Sequence, residues 1–185
     1  MDTLRGRLLV STPAIETGPF VRSVVFVLDH DDGGALGVIV NRPLPSDVDD
    51  VLPEWADHVN APVCLFDGGP VAENSALAVG VLADATVTVP PVGWRSMSGR
   101  IGLVDLDGPL PSAGQLAGLR LFAGYTGWSP GQVEAELAEG SWIVLEAREA
   151  DLMSPQPEKL WHEVMRRQRG DLRYWATFPA DPTVN

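Results

Sequence analysis

The sequence predicts a single domain of mixed architecture, in which short strands outnumber helices. Apolar runs of a few residues alternate with Gly, Pro and Asp, which is typical of strands joined by tight turns. One amphipathic helix pattern comes late in the chain, over residues 157–168. At 185 residues the chain is long enough to form one hydrophobic core, and no repeat or linker divides it. We therefore expect one domain over residues 1–185, ending in an extended tail over residues 171–185.

Each strand is predicted from an apolar run and from the turn residues that close it. The predicted strands cover residues 8–10, 24–28, 35–40, 63–66, 76–82, 86–89, 101–104, 119–123 and 141–145. Residues 31–34, Asp-Asp-Gly-Gly, tolerate positive φ and predict a hairpin between the second and third strands. The last two strands flank a short helix, and this β-α-β unit predicts a right-handed crossover if the strands are parallel. Further short helices are predicted at residues 46–55, as a helix or turn, and at residues 115–116.

The late helix pattern is the strongest helix signal in the chain. Leu160 with Val164, and Trp161 with Met165, form two apolar pairs at i, i+4 spacing. Residues 166–169, Arg-Arg-Gln-Arg, close the pattern with the one basic cluster of the sequence. Such charge stabilises a helix C-terminus. The cluster therefore predicts a solvated helix end, and docking of an acidic partner is the alternative.

A glycine-rich segment, residues 124–132, follows the strand at 119–123 and predicts a turn that leads into a helix. It contains the G-x-S-x-G pattern of a nucleophile elbow. An elbow uses the backbone N–H of the residue after the serine in its oxyanion hole, and Pro130 has no N–H. We therefore interpret Ser129 as a helix N-cap, Pro130 as the first helical residue and Gln132 as the partner in a capping box.

Charge and cysteine content narrow the possible functions. The net charge is −12 and the sequence pI is about 4.5, which argues against direct binding of nucleic acid and of anionic membranes. Cys64 is the only cysteine, so no intramolecular disulfide can form, as is usual in a reducing compartment. No apolar stretch reaches about 20 residues, and the first residues do not resemble a secretion signal. These observations predict a cytoplasmic protein.

Three separated blocks of the sequence resemble those of the YqgE/AlgH family. The blocks are Arg22-Ser23-Val24-Val25 with His30 and residues 34–43, then residues 68–71, then residues 124–132 with Glu134, Glu136, Ser141 and Trp142. They occur in the family order and span nearly the whole chain. Thr126 and Ser129 stand where Ala and Gly are more usual in the third block. This departure changes the turn and leaves the resemblance intact.

The resemblance implies an α+β fold in which coiled, bifurcated and mainly antiparallel β-sheets are surrounded by short helices. It implies no reaction, because the family has no established biochemical activity. Some members are described as transcriptional regulators of exopolysaccharide synthesis. The sequence shows no helix-turn-helix supported by basic residues. Regulation would therefore act through a protein partner or a small ligand.

Seven residues are candidates for a ligand or partner surface, and each has a structural alternative. They are Asn41, Arg42, Gly68, Gly69, Tyr125, Gly127 and Trp128. The Asn-Arg pair can recognise an anion; alternatively, Asn41 satisfies loop backbone and Arg42 pairs with the acidic residues 47–50. Backbone N–H groups of the glycine loops can cradle an anion, or the loops can be tight turns. The aromatic residues can line a groove or pack in the core.

Two classes of function are consistent with these candidates. In the first, the protein is a non-catalytic binding or regulatory protein. In the second, it is an enzyme that acts on a small anionic or phosphorylated metabolite, with Arg42 holding the anion and His30 as the acid–base group. An enzyme is expected to show a nucleophile, a metal set or paired carboxylates. We favour the first class, and we predict no catalytic residue, no metal site and no cofactor; His30 and Cys64 are interpreted as structural.

Overall fold

The computed structural model of the chain describes residues 3–84, 86 and 88–178. Its strands are β1 (Arg7–Ser11), β2 (Val24–Asp31), β3 (Gly34–Ile39), β4 (Pro43–Asp47), β5 (Cys64–Asp67), β6 (Val71–Leu82), β7 (Arg95–Ser98), β8 (Ile101–Val104), β9 (Leu116–Trp128) and β10 (Trp142–Glu146). Its helices are α1 (Val48–Val51), α2 (Gln132–Ala138), α3 (Glu149–Leu152), α4 (Leu160–Arg166) and α5 (Leu172–Trp175), with 3-10 helices at Pro53–His58 and Pro157–Lys159. Within the described residues, no helix is both long and apolar enough to cross a membrane.

The strands form one curled sheet in which β9 connects two parts. The strand order is β10-β1-β2-β3-β9-β6-β8-β7, and β5 pairs with both β4 and β9. Every pair is antiparallel except β5 with β9. The first part of β9 pairs with β6 and β5, whereas its last residues, 126–128, pair with β3. The α+β fold with a mainly antiparallel, branching sheet is therefore confirmed.

The hydrophobic core lies on both faces of β2, which explains its continuous apolar run. Val24 and Phe26 belong to a cluster that α4 covers. Val25 and Val27 belong to a second cluster, together with Trp128 and other residues. Because successive side chains of a strand point to opposite faces, burial of both faces removes the usual alternation of apolar and polar residues.

The predicted hairpin and the predicted late helix are confirmed. Strands β2 and β3 pair antiparallel around the turn at residues 31–34, with a bulge between Val27 and Asp29. The late helix consists of the 3-10 helix Pro157–Lys159 and α4, and its four predicted apolar residues are all buried. Both features depend on the spacing of residues that are close in the sequence, and such spacing can be recognised from the sequence alone.

Several other predictions are wrong because long-range strand pairing overrides local preference. The helix predicted at residues 115–116 is absent, since Leu116 begins β9. The glycine-rich turn predicted at residues 124–128 is the continuation of the same strand. Thr86, Thr88 and Val89 of a predicted strand lie in turns and bends, while Val87 lies outside the described residues. Strand β6, which was predicted at residues 76–82, pairs with β8 and β9, and β8 also pairs with β7, a strand that was not predicted.

The connection from β9 to β10 and the end of the chain also differ from the expectation. Strands β9 and β10 are separated by β3, β2 and β1, so α2 connects strands that are not neighbours. Residues 172–175 of the expected extended tail form helix α5, and residues 179–185 lie outside the described residues.

The two parts of the sheet meet at a group of three glycines, which we call the glycine junction: Gly68, Gly69 and Gly124. Gly124 has φ +72°, and a Cβ on it would lie 2.5 Å from the carbonyl oxygen of Gly69 and 2.9 Å from that of Val71. A Cβ on Gly68 would overlap the carbonyl group of Gly124, and one on Gly69 would overlap the backbone of Tyr125. Only glycine allows two backbones to approach this closely.

We expect Gly124→Ala to lower the free energy of unfolding by about 2–4 kcal/mol, since it combines positive φ with backbone overlap. Gly114→Ala is the matched control, because Gly114 has φ +81° and nothing within 4 Å of its added Cβ. The control should cost about 1 kcal/mol. Urea denaturation of both variants measures the difference, and equal losses would show that the close approach at Gly124 contributes nothing.

Candidate functional site

Asn41 lies between β3 and β4, and its side chain is bonded to the backbone of residues 22–24, where the loop after β1 joins β2. It is 8% exposed, its side-chain oxygen accepts a hydrogen bond from the Val24 N–H at 2.9 Å, and its side-chain nitrogen donates to the Arg22 carbonyl at 2.9 Å. Both polar atoms of the Asn41 amide are therefore hydrogen-bonded to backbone, which agrees with the structural interpretation of this residue.

Arg42 contacts the same loop. Its Nη2 donates to the Val21 carbonyl at 3.0 Å and to the Ser23 hydroxyl at 3.1 Å. Burial lowers the pKa of Arg42, and the negative charge of Asp67 opposes that effect. The expected pairing with residues 47–50 is wrong: among the ion pairs of the described residues, none includes Arg42. Arg42 remains partly exposed and holds the loop next to the glycine junction.

The backbone N–H groups of Gly68 and Gly69 point inward. The Gly68 N–H donates to the Ala123 carbonyl at 2.9 Å, and the Gly69 N–H donates to the Asp67 carboxylate at 3.1 Å. Both glycines are buried. These donors are therefore engaged within the fold, which favours the tight-turn interpretation over an anion cradle.

The three remaining candidates lie along the end of β9. Tyr125 is half-buried and pairs with Val71 beside the glycine junction. Gly127 is exposed, and Trp128 is 6% exposed. Gly127 and Trp128 pair with the first residues of β3, whereas Asn41 and Arg42 follow the last residue of that strand. The seven candidates therefore divide between two places, at opposite ends of β3.

Glu136 fixes the two tryptophans near the start of α2, a role that sequence reasoning missed. Its Oε2 accepts hydrogen bonds from the indole N–H groups of Trp128, at 2.9 Å, and Trp142, at 2.8 Å. Phe20 packs on both indoles, with ring centroids 6.2 Å and 5.5 Å away. The occurrence of Glu136 and Trp142 in the same sequence block was the available signal. Trp128 is therefore a core residue.

The interpretation of Ser129 as a helix N-cap is wrong. Helix α2 begins at Gln132, and its N-cap is Gly131 with φ +76°. One half of the predicted capping box exists, since the Gln132 side-chain oxygen accepts the Ser129 N–H at 3.0 Å. A glycine at left-handed φ displaces the helix start by two residues, so the Ser129 hydroxyl makes no cap.

His30 joins β2 to α2 and to the N-terminal segment. The Leu4 N–H donates to Nδ1 of His30 at 3.0 Å, so the ring proton lies on Nε2 and is donated to Glu134 at 2.7 Å. The His30 side chain is 6% exposed. A cavity of about 360 Å³ borders this pair and is also lined by Thr3, Asp31 and other residues. Both ring nitrogens are occupied, so neither is available to a substrate.

Among the described residues, no cluster of His, Cys, Asp or Glu has the geometry to hold a metal ion. Cys64 is buried, as expected, and burial raises the pKa of its thiol, against the opposing charge of Arg120.

Arg120 is a buried cation that the apolar strand pattern concealed. It is 0% exposed, donates to the carbonyls of Leu152, Ser154 and Ala61 at 2.9–3.1 Å, and lies 4.3 Å above the Phe66 ring. Burial lowers its pKa to about 10. Because its donors satisfy carbonyls at the end of α3, Arg120 holds that helix against β9.

We expect Glu136→Ala to destabilise the protein by about 2 kcal/mol, because it leaves two partly buried indole N–H groups without an acceptor. Glu139→Ala, which removes an exposed carboxylate at the end of the same helix, should change the free energy of unfolding by less than about 0.5 kcal/mol. Chemical denaturation followed by tryptophan fluorescence compares the two variants. Equal effects would contradict the role of Glu136.

The hydrogen bond between His30 and Glu134 predicts that the free energy of unfolding depends on pH in the acidic range. The hydrogen bond from His30 holds the pKa of Glu134 below its usual value of 4.5. A lowered folded-state pKa contributes stability that is complete above the unfolded-state pKa and is lost as pH falls through the folded-state value. The free energy of unfolding, measured between pH 6 and about pH 3, should therefore fall less steeply in Glu134→Gln than in the wild type. Parallel curves would contradict the coupling, and Glu139→Gln is the control.

Comparison with known proteins identifies the family. A model described as AlgH-like matches residues 8–173. A UPF0301 protein of Streptomyces coelicolor is 52% identical, with 100% of this chain and 97% of that protein aligned; one of Thermobifida fusca is 46% identical, with 99% and 96% aligned. A crystal structure of a protein from Corynebacterium diphtheriae aligns with a TM-score of 0.84 at 33% identity, over 94% of this chain and 92% of that one.

A more distant structure supports the fold alone. The solution structure of AlgH from Pseudomonas aeruginosa aligns with a TM-score of 0.68 at 20% identity, over 97% of this chain and 96% of that one. The family resemblance seen in the sequence blocks is thus confirmed across nearly the whole chain. The chain belongs to the AlgH-like (UPF0301) family, for which no biochemical activity is established.

Proposed function

We propose that this protein is a non-catalytic binding or regulatory protein that acts through a partner. The observation that carries this proposal is the engagement of His30, whose two ring nitrogens are hydrogen-bonded to Leu4 and Glu134. A general base needs a ring nitrogen within reach of the substrate proton. His30 would have to break one of these bonds first, which weakens the alternative of an enzyme acting on a phosphorylated metabolite.

The surface that fits this proposal best covers the glycine junction. Residues 70–75, Pro-Val-Ala-Glu-Asn-Ser, are all exposed, and the pairing of β6 with β9 is interrupted between Val71 and Ala76. Ala72 has φ +49°, a conformation that costs a residue with a side chain about 1 kcal/mol or more. We call residues 70–75, with Tyr125 paired to Val71, the junction surface.

Two features support binding at the junction surface. The exposed segment adjoins buried, closely packed backbone, because Gly69 and Gly124 contact each other next to it. A rigid base reduces the entropy lost when a partner binds. Strained backbone that is held by its surroundings is also more common at binding sites than elsewhere. Gly127 and Trp128, at the other end of β3, are not part of this surface.

The proposal extends to regulation and location. A regulatory effect on transcription would pass through a protein partner or a small ligand, because a net charge of −12 opposes direct contact with DNA. A cytoplasmic location is part of the proposal and is supported by the presence of a single cysteine, Cys64. No cofactor is invoked.

Site-specific photo-crosslinking in cells of the source species tests this function. We expect a photoreactive residue at Asn74, on the junction surface, to capture a defined protein that the same residue at Glu139 does not capture. Both positions are exposed, so accessibility is matched. Capture at Asn74 should be lost in Val71→Asp, which places a charge on the surface. Identical products from both positions would contradict the proposal.

A metabolite screen provides the opposing test. The proposal predicts that the purified protein consumes no component of a pool of phosphorylated metabolites. Turnover that is abolished in His30→Gln would instead establish the enzyme alternative.

A further inference from the structure

We propose that a cleft beside α4 binds the phosphate group of a small phosphorylated ligand. Lys159, His162 and Arg166 line the cleft, together with Ala176 from the segment after α5, and its volume is about 320 Å³. We call it the cationic cleft. It shares no lining residue with the junction surface, so it can bind a ligand whether or not the proposed function is correct.

The three basic residues lie on one face of the helical segment. Their spacing is i, i+3 and i+7, which places them in a row along two turns of helix. The opposite face consists of Leu160, Trp161 and other buried residues of the core. The row is therefore presented outward as a unit.

Helix stability does not explain this row. Lys159 is the residue immediately before α4, where the helix dipole disfavours a positive charge. Arg166 lies four residues after His162, and its positive charge disfavours protonation of that ring. Only the position of Arg166, at the last residue of the helix, suits the dipole. An arrangement that costs stability is better explained by a ligand that neutralises it.

Among the residues that the structure describes, no carboxylate forms an ion pair with the basic residues of the cleft. The ion pairs of the described residues include that of Arg167 with Asp151, yet none includes Lys159, His162 or Arg166. This is unusual in a chain with 25 acidic and 13 basic residues. Because carboxylates are abundant, unpaired cations gathered in one cleft point to an anion from outside the protein.

His162 adds a directed hydrogen-bond donor. Its Nε2 lies 2.8 Å from Nη1 of Arg22, and a guanidinium can only donate, so Nε2 accepts and Nδ1 carries the proton. Within the described part of the chain, Nδ1 has no hydrogen-bond partner. Burial and then the charges of Arg22 and Arg166 lower the pKa of His162. A neutral His162 ring can therefore donate its Nδ1–H to an anion without adding a positive charge to those of Lys159 and Arg166.

Arg22 holds this tautomer in place. Its Nη2 donates to the Phe178 carbonyl at 2.8 Å, and its guanidinium lies 4.8 Å from the centre of the Trp161 ring. Its backbone has φ +52°, so the residue is held in a conformation that is rare outside glycine. Arg22 acts here as a positioning residue for His162.

The shape and donor set favour phosphate over other anions. A volume of about 320 Å³ is at the lower end of small-molecule sites. The residues that line it carry an ammonium, a guanidinium and an imidazole, and a phosphate dianion offers three acceptor oxygens for such donors. A monocarboxylate has two oxygens and one charge, so it would leave one donor and one charge unmatched.

Titration of the ¹⁵N-labelled protein with inorganic phosphate, followed by NMR at low salt, tests the cleft. We expect saturable shifts in the imidazole nitrogens of His162 and in the amides of residues 159–166. Lys159→Gln with Arg166→Gln should weaken binding at least about tenfold, the loss expected for removing two charge-assisted contacts. The double variant Arg95→Gln with Arg169→Gln is the matched control, because it removes the same charge from exposed residues outside the cleft.

Three results would overturn the proposal. The first is equal weakening in the control, which would show attraction by overall charge alone. The second is an absence of saturation at His162 while the amides of other basic residues shift. The third is binding of succinate as tight as that of phosphate, which would contradict the assignment of the ligand. The melting temperature of the cleft variant checks its folding, and it should be close to that of the wild type, because Lys159 and Arg166 are both exposed and neither takes part in an ion pair of the described residues.

Discussion

The close approach of two backbones at Gly124 is the constraint on which the rest of the fold depends. A Cβ at this position would lie 2.5 Å from the Gly69 carbonyl, so the strand can pass only without a side chain. This close approach lets β9 pair with β5 and β6 up to Tyr125 and with β3 from Thr126 onwards. The branching sheet follows from this single strand. The α2 helix and its tryptophan contacts follow from where the strand ends.

The polar residues of the family blocks stabilise this arrangement. Asn41 satisfies loop backbone, Glu136 fixes two tryptophans, and His30 joins β2 to α2. Arg120, which is buried in the core, holds α3 by donating hydrogen bonds to the carbonyls of Leu152 and Ser154. Residue types that suggest catalysis in the sequence are thus engaged in the fold. Two features of the described residues remain available to other molecules, namely the exposed segment at residues 70–75 and the cationic cleft.

Sequence reasoning succeeded where neighbours along the chain decide the structure. The apolar run of β2 and the i, i+4 pairs of α4 are such features. It failed at residues 124–128, where glycines favour a turn but pairing with β3 extends the strand. The partners His30 and Glu134 are 104 residues apart, and Arg120 bonds carbonyls more than 30 residues away. No local pattern encodes such contacts, so the division of the candidate site could not be foreseen.

Native-state amide hydrogen exchange along β9 tests most directly whether the glycine-rich block is architecture or a mobile ligand loop. Continuity of the strand predicts that the amides of residues 126–128 bonded to β3 are protected as strongly as those of residues 119–123 bonded to β6. Both groups should then open with a free energy near that of global unfolding. Rapid exchange confined to residues 124–128 would contradict the account, because it would show a glycine loop that opens independently of the sheet.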